Sequence, residues 1–133
     1  MEKKVVYLSE EWAAEALRRI NEELSPERMN NVTTSMSNIY KNCPDGKERY
    51  LFIQAEDGRV TRLVVGQGEP PKAEFTITGD YEVFASISRA ELGSQRALMT
   101  GKLKVRGNLT KALRLAALAD RLNKVLSTIP AVY

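Results

Sequence analysis

The clearest alternation of apolar and polar positions lies between two glycines, in Gly101-Lys102-Leu103-Lys104-Val105-Arg106-Gly107. Leu103 and Val105 fall on one side, and Lys102, Lys104 and Arg106 on the other. That period predicts a half-buried strand. Gly101 stops whatever precedes it, and Gly107-Asn108 opens a long apolar helix. The helix starts at Asn108 or Thr110 and runs to about Ser127. Its stripe is Leu115, Leu118, Ala119, Leu122, Val125, Leu126 and Ile129, at i, i+3, i+4 spacing. Leu109, Ala112, Leu113, Ala116 and Ala117 widen it over the first half, beyond what one packing face needs. Two explanations stand. Either the helix is sandwiched between a sheet and another protein element, or part of it closes an apolar cavity.

The same patterning orders the rest of the chain. Ser9-Glu10-Glu11-Trp12 predicts a capped helix start with acids complementing the macrodipole. Trp12, Ala13, Ala16, Leu17, Ile20 and Leu24 form its apolar face; Glu15, Arg18, Arg19 and Glu22 face water; Ser25-Pro26 ends it. Residues 30–40 predict a polar strand with Val32, Thr34, Met36, Asn38 and Tyr40 on one side. Such a face suits an edge strand, or the wall of a cavity that holds a ligand or water. Cys43-Pro44-Asp45-Gly46 reads as a turn. Arg49–Ala55 and Val60–Val65 form a hairpin about Asp57-Gly58. Ala73–Thr78 is a fourth strand, with Phe75 and Ile77 inward.

At Gly79-Asp80 the period becomes helical. Asp80 caps a helix carrying Tyr81, Phe84, Ala85 and Ile87, and Ser88-Arg89-Ala90-Glu91 has the capping-box spacing of a restart. Ser94 caps a short helix from Gln95 to Thr100 whose apolar face is Ala97, Leu98 and Met99. The order is therefore one helix, four strands, a helical region, a fifth strand and a long helix.

Length and composition narrow this to one domain over residues 1–133. A single cysteine, Cys43, excludes an internal disulfide. No run approaches the ~18 apolar residues of a membrane span, and the first eight residues are too short, and too soon followed by acidic residues, for a signal peptide. The expected location is cytoplasmic. The absence of histidine removes the commonest general base and metal ligand. No nucleophile–base pair, phosphate-cradling loop or calcium-loop spacing is present. The paired carboxylates Glu10/Glu11, Glu22/Glu23 and Glu56/Asp57 fall on a helix surface or in the hairpin turn. A non-enzymatic protein is expected, with no catalytic residue, metal or cofactor. An enzyme would need a carboxylate such as Glu74 or Glu82 inside the cavity.

The net charge is +3, but it is unevenly spread. Residues 1–85 carry 11 basic and 15 acidic side chains, and residues 86–133 carry 9 and 2. Lys102, Lys104 and Arg106 project from one strand face, with Lys111 and Arg114 close in sequence. They are candidates to meet an anionic headgroup, or an anionic membrane surface in a transient contact. Tyr133 is the only aromatic residue after Phe84, so nucleic acid is not an expected partner.

The segment from Ser94 to Asn108 contains a short helix ending in Met99-Thr100-Gly101. Lys102-Leu103-Lys104-Val105-Arg106-Gly107-Asn108 and the Leu/Ala-rich helix follow. It resembles the signature of the sterol carrier protein 2-like family. Ala73–Asp80 and the helix behind it are similar to the family's preceding strand and helix. Leu8-Ser9-Glu10-Glu11-Trp12 resembles the start of small microbial members. The resemblance implies an α+β domain with a five-stranded, mostly antiparallel sheet covered by helices. It further implies an apolar tunnel between the two layers. That tunnel would bind and carry a fatty acid, fatty acyl-CoA, phospholipid or sterol-like lipid without turnover.

On this basis the candidate wall is Phe75, Ile77, Phe84, Ile87 and Leu98, with Met99, Leu103, Val105, Leu109, Leu113 and Ala116. Met99 is its adaptable member. The alternative is a homodimer in which the last helix is a protein interface and no ligand binds.

Overall fold

The computed structural model describes residues 3–133. Val5–Val6 (β1) leads into Glu10–Glu23 (α1). Ser9 caps α1: its hydroxyl accepts from the Trp12 N–H at 3.1 Å, and Glu10 and Glu11 fill the first turn. Ser9→Ala should cost about 1 kcal/mol, read as a lower urea midpoint at unchanged slope. Trp12, Ala13, Ala16 and Ile20 are buried, as their spacing predicts. The Trp12 indole N–H is the one buried side-chain polar group without a hydrogen-bond partner among the described residues. Its ring meets Tyr7 edge-on, at 4.9 Å between centroids. Arg19, expected in water, instead donates to the Thr128 carbonyl at 2.8 Å and ties α1 to the end of the chain.

A single 3₁₀ turn at Glu27–Met29 precedes Thr34–Lys41 (β2). Arg49–Glu56 (β3) and Arg59–Gly66 (β4) then form the predicted hairpin. Asp57 and Gly58 both have positive φ, 48° and 84°, as a type I′ turn requires. Phe75–Asp80 (β5) runs directly into Tyr81–Ser88 (α2), and Ser94–Met99 (α3) follows. Leu103–Arg106 (β6), Leu109–Leu126 (α4) and Ala131–Val132 (β7) complete the chain.

The sheet order is β4-β3-β2-β5-β6. Every neighbouring pair is antiparallel except β2 and β5, which are parallel. A separate parallel pair joins β1 to β7 and brings the two ends of the chain together. These two strands have two residues each, too few to show a period. Helices α1 to α4 pack on one face of the main sheet, over a core that joins Trp12, Tyr40, Ile53, Phe84 and Leu126. The loop before β5 crosses the other face, where the Ser37 hydroxyl donates to the Pro71 carbonyl at 2.6 Å.

Three expected helix caps are replaced by other arrangements. Asp80 occupies the N-cap position of α2, but its carboxylate accepts from the Asn42 amide at 2.7 Å and not from the helix. No capping box forms at Ser88. That residue ends α2 and is buried, and the Glu91 N–H closes a turn on the Ser86 carbonyl at 2.9 Å. The N-cap of α3 is Gly93; the Ser94 N–H is satisfied by the Asp120 carboxylate of α4 at 2.8 Å. Asn108, one of the two expected starts, caps α4 and accepts from the Lys111 N–H at 3.0 Å.

Candidate functional site

The inner face of the sheet and helices α2, α3 and α4 line a cavity of about 120 Å³. A single water needs roughly 10–15 Å³ by the same measure, so the space exceeds a packing defect. The strand period builds its floor. Thr34, Met36, Asn38 and Tyr40 come from β2; Leu51, Ile53 and Ala55 from β3; Phe75 and Ile77 from β5; Leu103 from β6. The helices roof it with Phe84, Ile87 and Ser88 of α2, Leu98 of α3, and one face of α4 from Ala112 to Leu126. Among the described residues, no Asp, Glu, Lys or Arg contributes to the wall.

Of the residues expected to line it, Phe75, Ile77, Phe84, Ile87, Leu98, Leu103 and Ala116 are in the wall. Met99, Val105, Leu109 and Leu113 are not. Met99 is 70% exposed and Leu109 52% exposed. Met99 is the last residue of α3, already turning towards the Gly101 loop. Val105 and Leu113 are half-buried outside the wall. The rotation of α4 explains Leu113: Ala112, Leu115, Ala116 and Ala119 take the cavity side and leave it on the flank, whereas Leu109, on the same side as Ala112 and Ala116, is the exposed first residue of the helix. The flexible thioethers in the wall are Met29 and Met36.

The mixed face of β2 was the available signal for its lining residues. Ser88, Ser94 and Asn123 gave no such signal, because their side chains reach the wall from helices read for capping and apolar spacing. The Asn38 amide donates to the Leu51 carbonyl at 3.1 Å. Asn123 donates to the Ala119 carbonyl at 2.9 Å and to the Ser94 hydroxyl at 3.4 Å. At the end of the cavity near α2, the Tyr7 hydroxyl lies 2.9 Å from that of Tyr40 and 2.6 Å from that of Ser88. Tyr40 stacks on Phe84 at 4.2 Å. Burial pushes the phenols of Tyr7 and Tyr40 up, so both remain O–H groups at neutral pH.

The five basic residues singled out in the sequence do not gather into one patch. Lys104 and Arg106 project from the outer face of β6, paired with Thr78 and Thr76, while Arg114 is exposed on α4 in the helical layer. Lys102 lies exposed in the turn before β6. Lys111 is ion-paired to Glu74, which also accepts from the Thr34 hydroxyl at 2.6 Å. The Lys111 ammonium and this hydroxyl hold the Glu74 carboxyl below its ordinary range. Glu74 is thus engaged at the surface and Glu82 is exposed, so neither carboxylate enters the cavity. No helix among the described residues is long and apolar enough to cross a membrane.

The sequence profile of the SCP-2 sterol transfer family matches residues 7–120. The chain belongs to this family. Its fold is also that of sterol carrier protein 2, whose crystal structure superimposes with a TM-score of 0.79 at 23% identity. That match covers 92% of this chain and 98% of the other. Palmitated SCP2L2 of Aedes aegypti matches with a TM-score of 0.59 at 22% identity, over 84% of this chain and 94% of that one. Hydroxysteroid dehydrogenase-like protein 2 of Rattus norvegicus is 28% identical over 113 residues, covering 84% of this chain and 20% of the rat protein. The chain therefore spans about one fifth of the length of that curated relative. Membership of the SCP-2 family makes lipid binding and transfer the family-level function of this domain.

Proposed function

We propose that this protein binds and carries a long-chain apolar ligand in the cavity between its sheet and helices α2 to α4, without turning it over. The observation that carries this reading is an uncharged and mostly apolar wall, shared by the sheet and the helices, around a space of about 120 Å³. Burying a methylene contributes roughly 0.8 kcal/mol, so an eight-carbon segment gains about 6 kcal/mol before ordering costs. A full acyl chain needs more room than the cavity now encloses, and Met29 and Met36 are suited to yield as it enters.

The ligand classes that fit are a fatty acid, fatty acyl-CoA, phospholipid or sterol-like lipid. The palmitated state of the mosquito relative supports acyl chains among them. Because the wall holds no cation, a charged headgroup stays outside it, where exposed Lys102 or Arg114 can meet an anion.

Native mass spectrometry of the freshly purified protein, followed by solvent extraction and lipid analysis, tests the reading. A co-purified lipid at near-stoichiometric amount is the expected result. A clean unliganded mass, with no uptake of added acyl chains of varied length, would overturn it. A concentration-dependent dimer in the same experiment would favour an interface role for α4.

A further inference from the structure

The hydroxyl chain at the α2 end of the cavity has more donors than it can use internally. Tyr7, Tyr40 and Ser88 bring three O–H groups, and only two hydroxyl contacts join them. Each contact consumes one hydrogen, so one hydrogen is left over. Neither Tyr40 nor Ser88 has another side-chain hydrogen bond among the described residues. If Tyr7 donates to Ser88, Tyr40 donates to Tyr7 and the spare hydrogen belongs to Ser88. If Tyr7 donates to Tyr40, the spare hydrogen belongs to Tyr40. In a third arrangement Tyr7 accepts from both, and its own hydrogen is stranded away from the cavity. The first two place the spare donor on a residue of the cavity wall.

The surroundings make that donor costly to leave unmet. Tyr40 is 1% exposed and Ser88 3%, and a buried O–H without an acceptor loses its hydration with nothing in return. Asn38 lies two residues from Tyr40 on the same strand face and spends one amide hydrogen on Leu51, leaving its second available. Excess donors and no charge make a site for a neutral oxygen acceptor. An ionised carboxylate or phosphate would need a cation that the wall does not hold.

We infer that Tyr40 and Ser88, relayed through Tyr7, form the polar terminus of the cavity and bind a neutral carbonyl oxygen, of ketone or ester type, at the inner end of an apolar ligand. This rests on the carrier reading and adds to it the chemical class and orientation of the ligand.

The test uses a matched pair, pentadecane and 2-pentadecanone, delivered together from cyclodextrin and counted by native mass spectrometry. The ratio of bound ketone to bound alkane is compared between the wild type and Tyr7→Phe/Tyr40→Phe/Ser88→Ala. This triple variant removes all partners at once with little change of shape, the least damaging way to delete such a network. The wild type should favour the ketone by roughly three- to tenfold more than the variant, the worth of one net hydrogen bond. Equal ratios would overturn the inference and leave the carrier reading standing, whereas failure of the wild type to load either compound would overturn that reading too. Loss of the preference in Ser94→Ala would also overturn it, by moving the acceptor site to the α3 wall.

Should the triple variant fail to fold, the infrared C=O band of 2-pentadecanone bound to the wild type decides. A shift to lower frequency relative to the ketone in alkane is expected; an unshifted band overturns the inference.

Discussion

Ala116→Phe abolishes stoichiometric ligand loading and leaves a folded protein. Ala116 is 3% exposed and lies in the cavity wall on α4. A phenyl ring grown from that position enters the space that the ligand needs. In a filled core the same change would force off-rotamer packing, at about 1–3 kcal/mol. Here the ring occupies a cavity of about 120 Å³ and regains contacts that the empty wall lacks. Thermal unfolding should therefore move little, while lipid uptake counted by native mass spectrometry falls to background. Leu113→Phe is the matched control, less than one turn away on the same helix but half-buried outside the wall. It should load like the wild type. Equal loss in both variants would show that bulk on α4, and not occupancy of the cavity, is responsible.

That control marks where sequence patterning reached its limit. The period of α4 was legible from its apolar spacing, and so was the excess width of its stripe. Which edge of the stripe faces the cavity was not, because a helix with apolar residues over most of its circumference can rotate without breaking its pattern. Leu113 lies on the flank for that reason, and Leu109 lies outside because it is the exposed first residue of the helix. Strands allow no such freedom. The twofold period of β5 and β6 fixed the inward direction of Phe75, Ile77 and Leu103, which are in the wall, and of Val105, which pairs with Ile77 but lies outside it. The alternation in β2 put Thr34, Met36, Asn38 and Tyr40 on one face before any cavity was known. Ser88 was hidden by a stronger local pattern: its spacing to Glu91 matches a capping box. A tertiary contact with Tyr7, 81 positions away, took its hydroxyl instead. The β1–β7 pair was hidden by its brevity.

Gly58→Ala should be among the most destabilising single changes in the chain, costing about 3 kcal/mol or more. Two effects combine. The residue has φ +84°, where a Cβ costs about 1–2 kcal/mol. That Cβ would also sit 2.5 Å from the Pro26 carbonyl oxygen and 2.7 Å from its Cα. These are backbone atoms, so relief requires the whole segment after α1 to move. The segment is further held by the Gly58 N–H, which donates to the Val32 carbonyl at 2.8 Å.

Gly46→Ala separates the two effects. It has φ +77° but nothing within 4 Å of an added Cβ, so it carries the conformational cost alone. At this chain length 1 kcal/mol moves the melting temperature by about 3–5 °C. Gly58→Ala should therefore melt several degrees below Gly46→Ala. The consequence reaches the cavity, because the displaced segment supplies Met29 and Val32 to its wall. Gly58→Ala should release bound lipid faster than the wild type at a temperature where both are folded, and Gly46→Ala should not. Equal melting temperatures for the two variants would show that the 26–32 segment yields freely, and the hairpin would then have no part in holding the cavity closed.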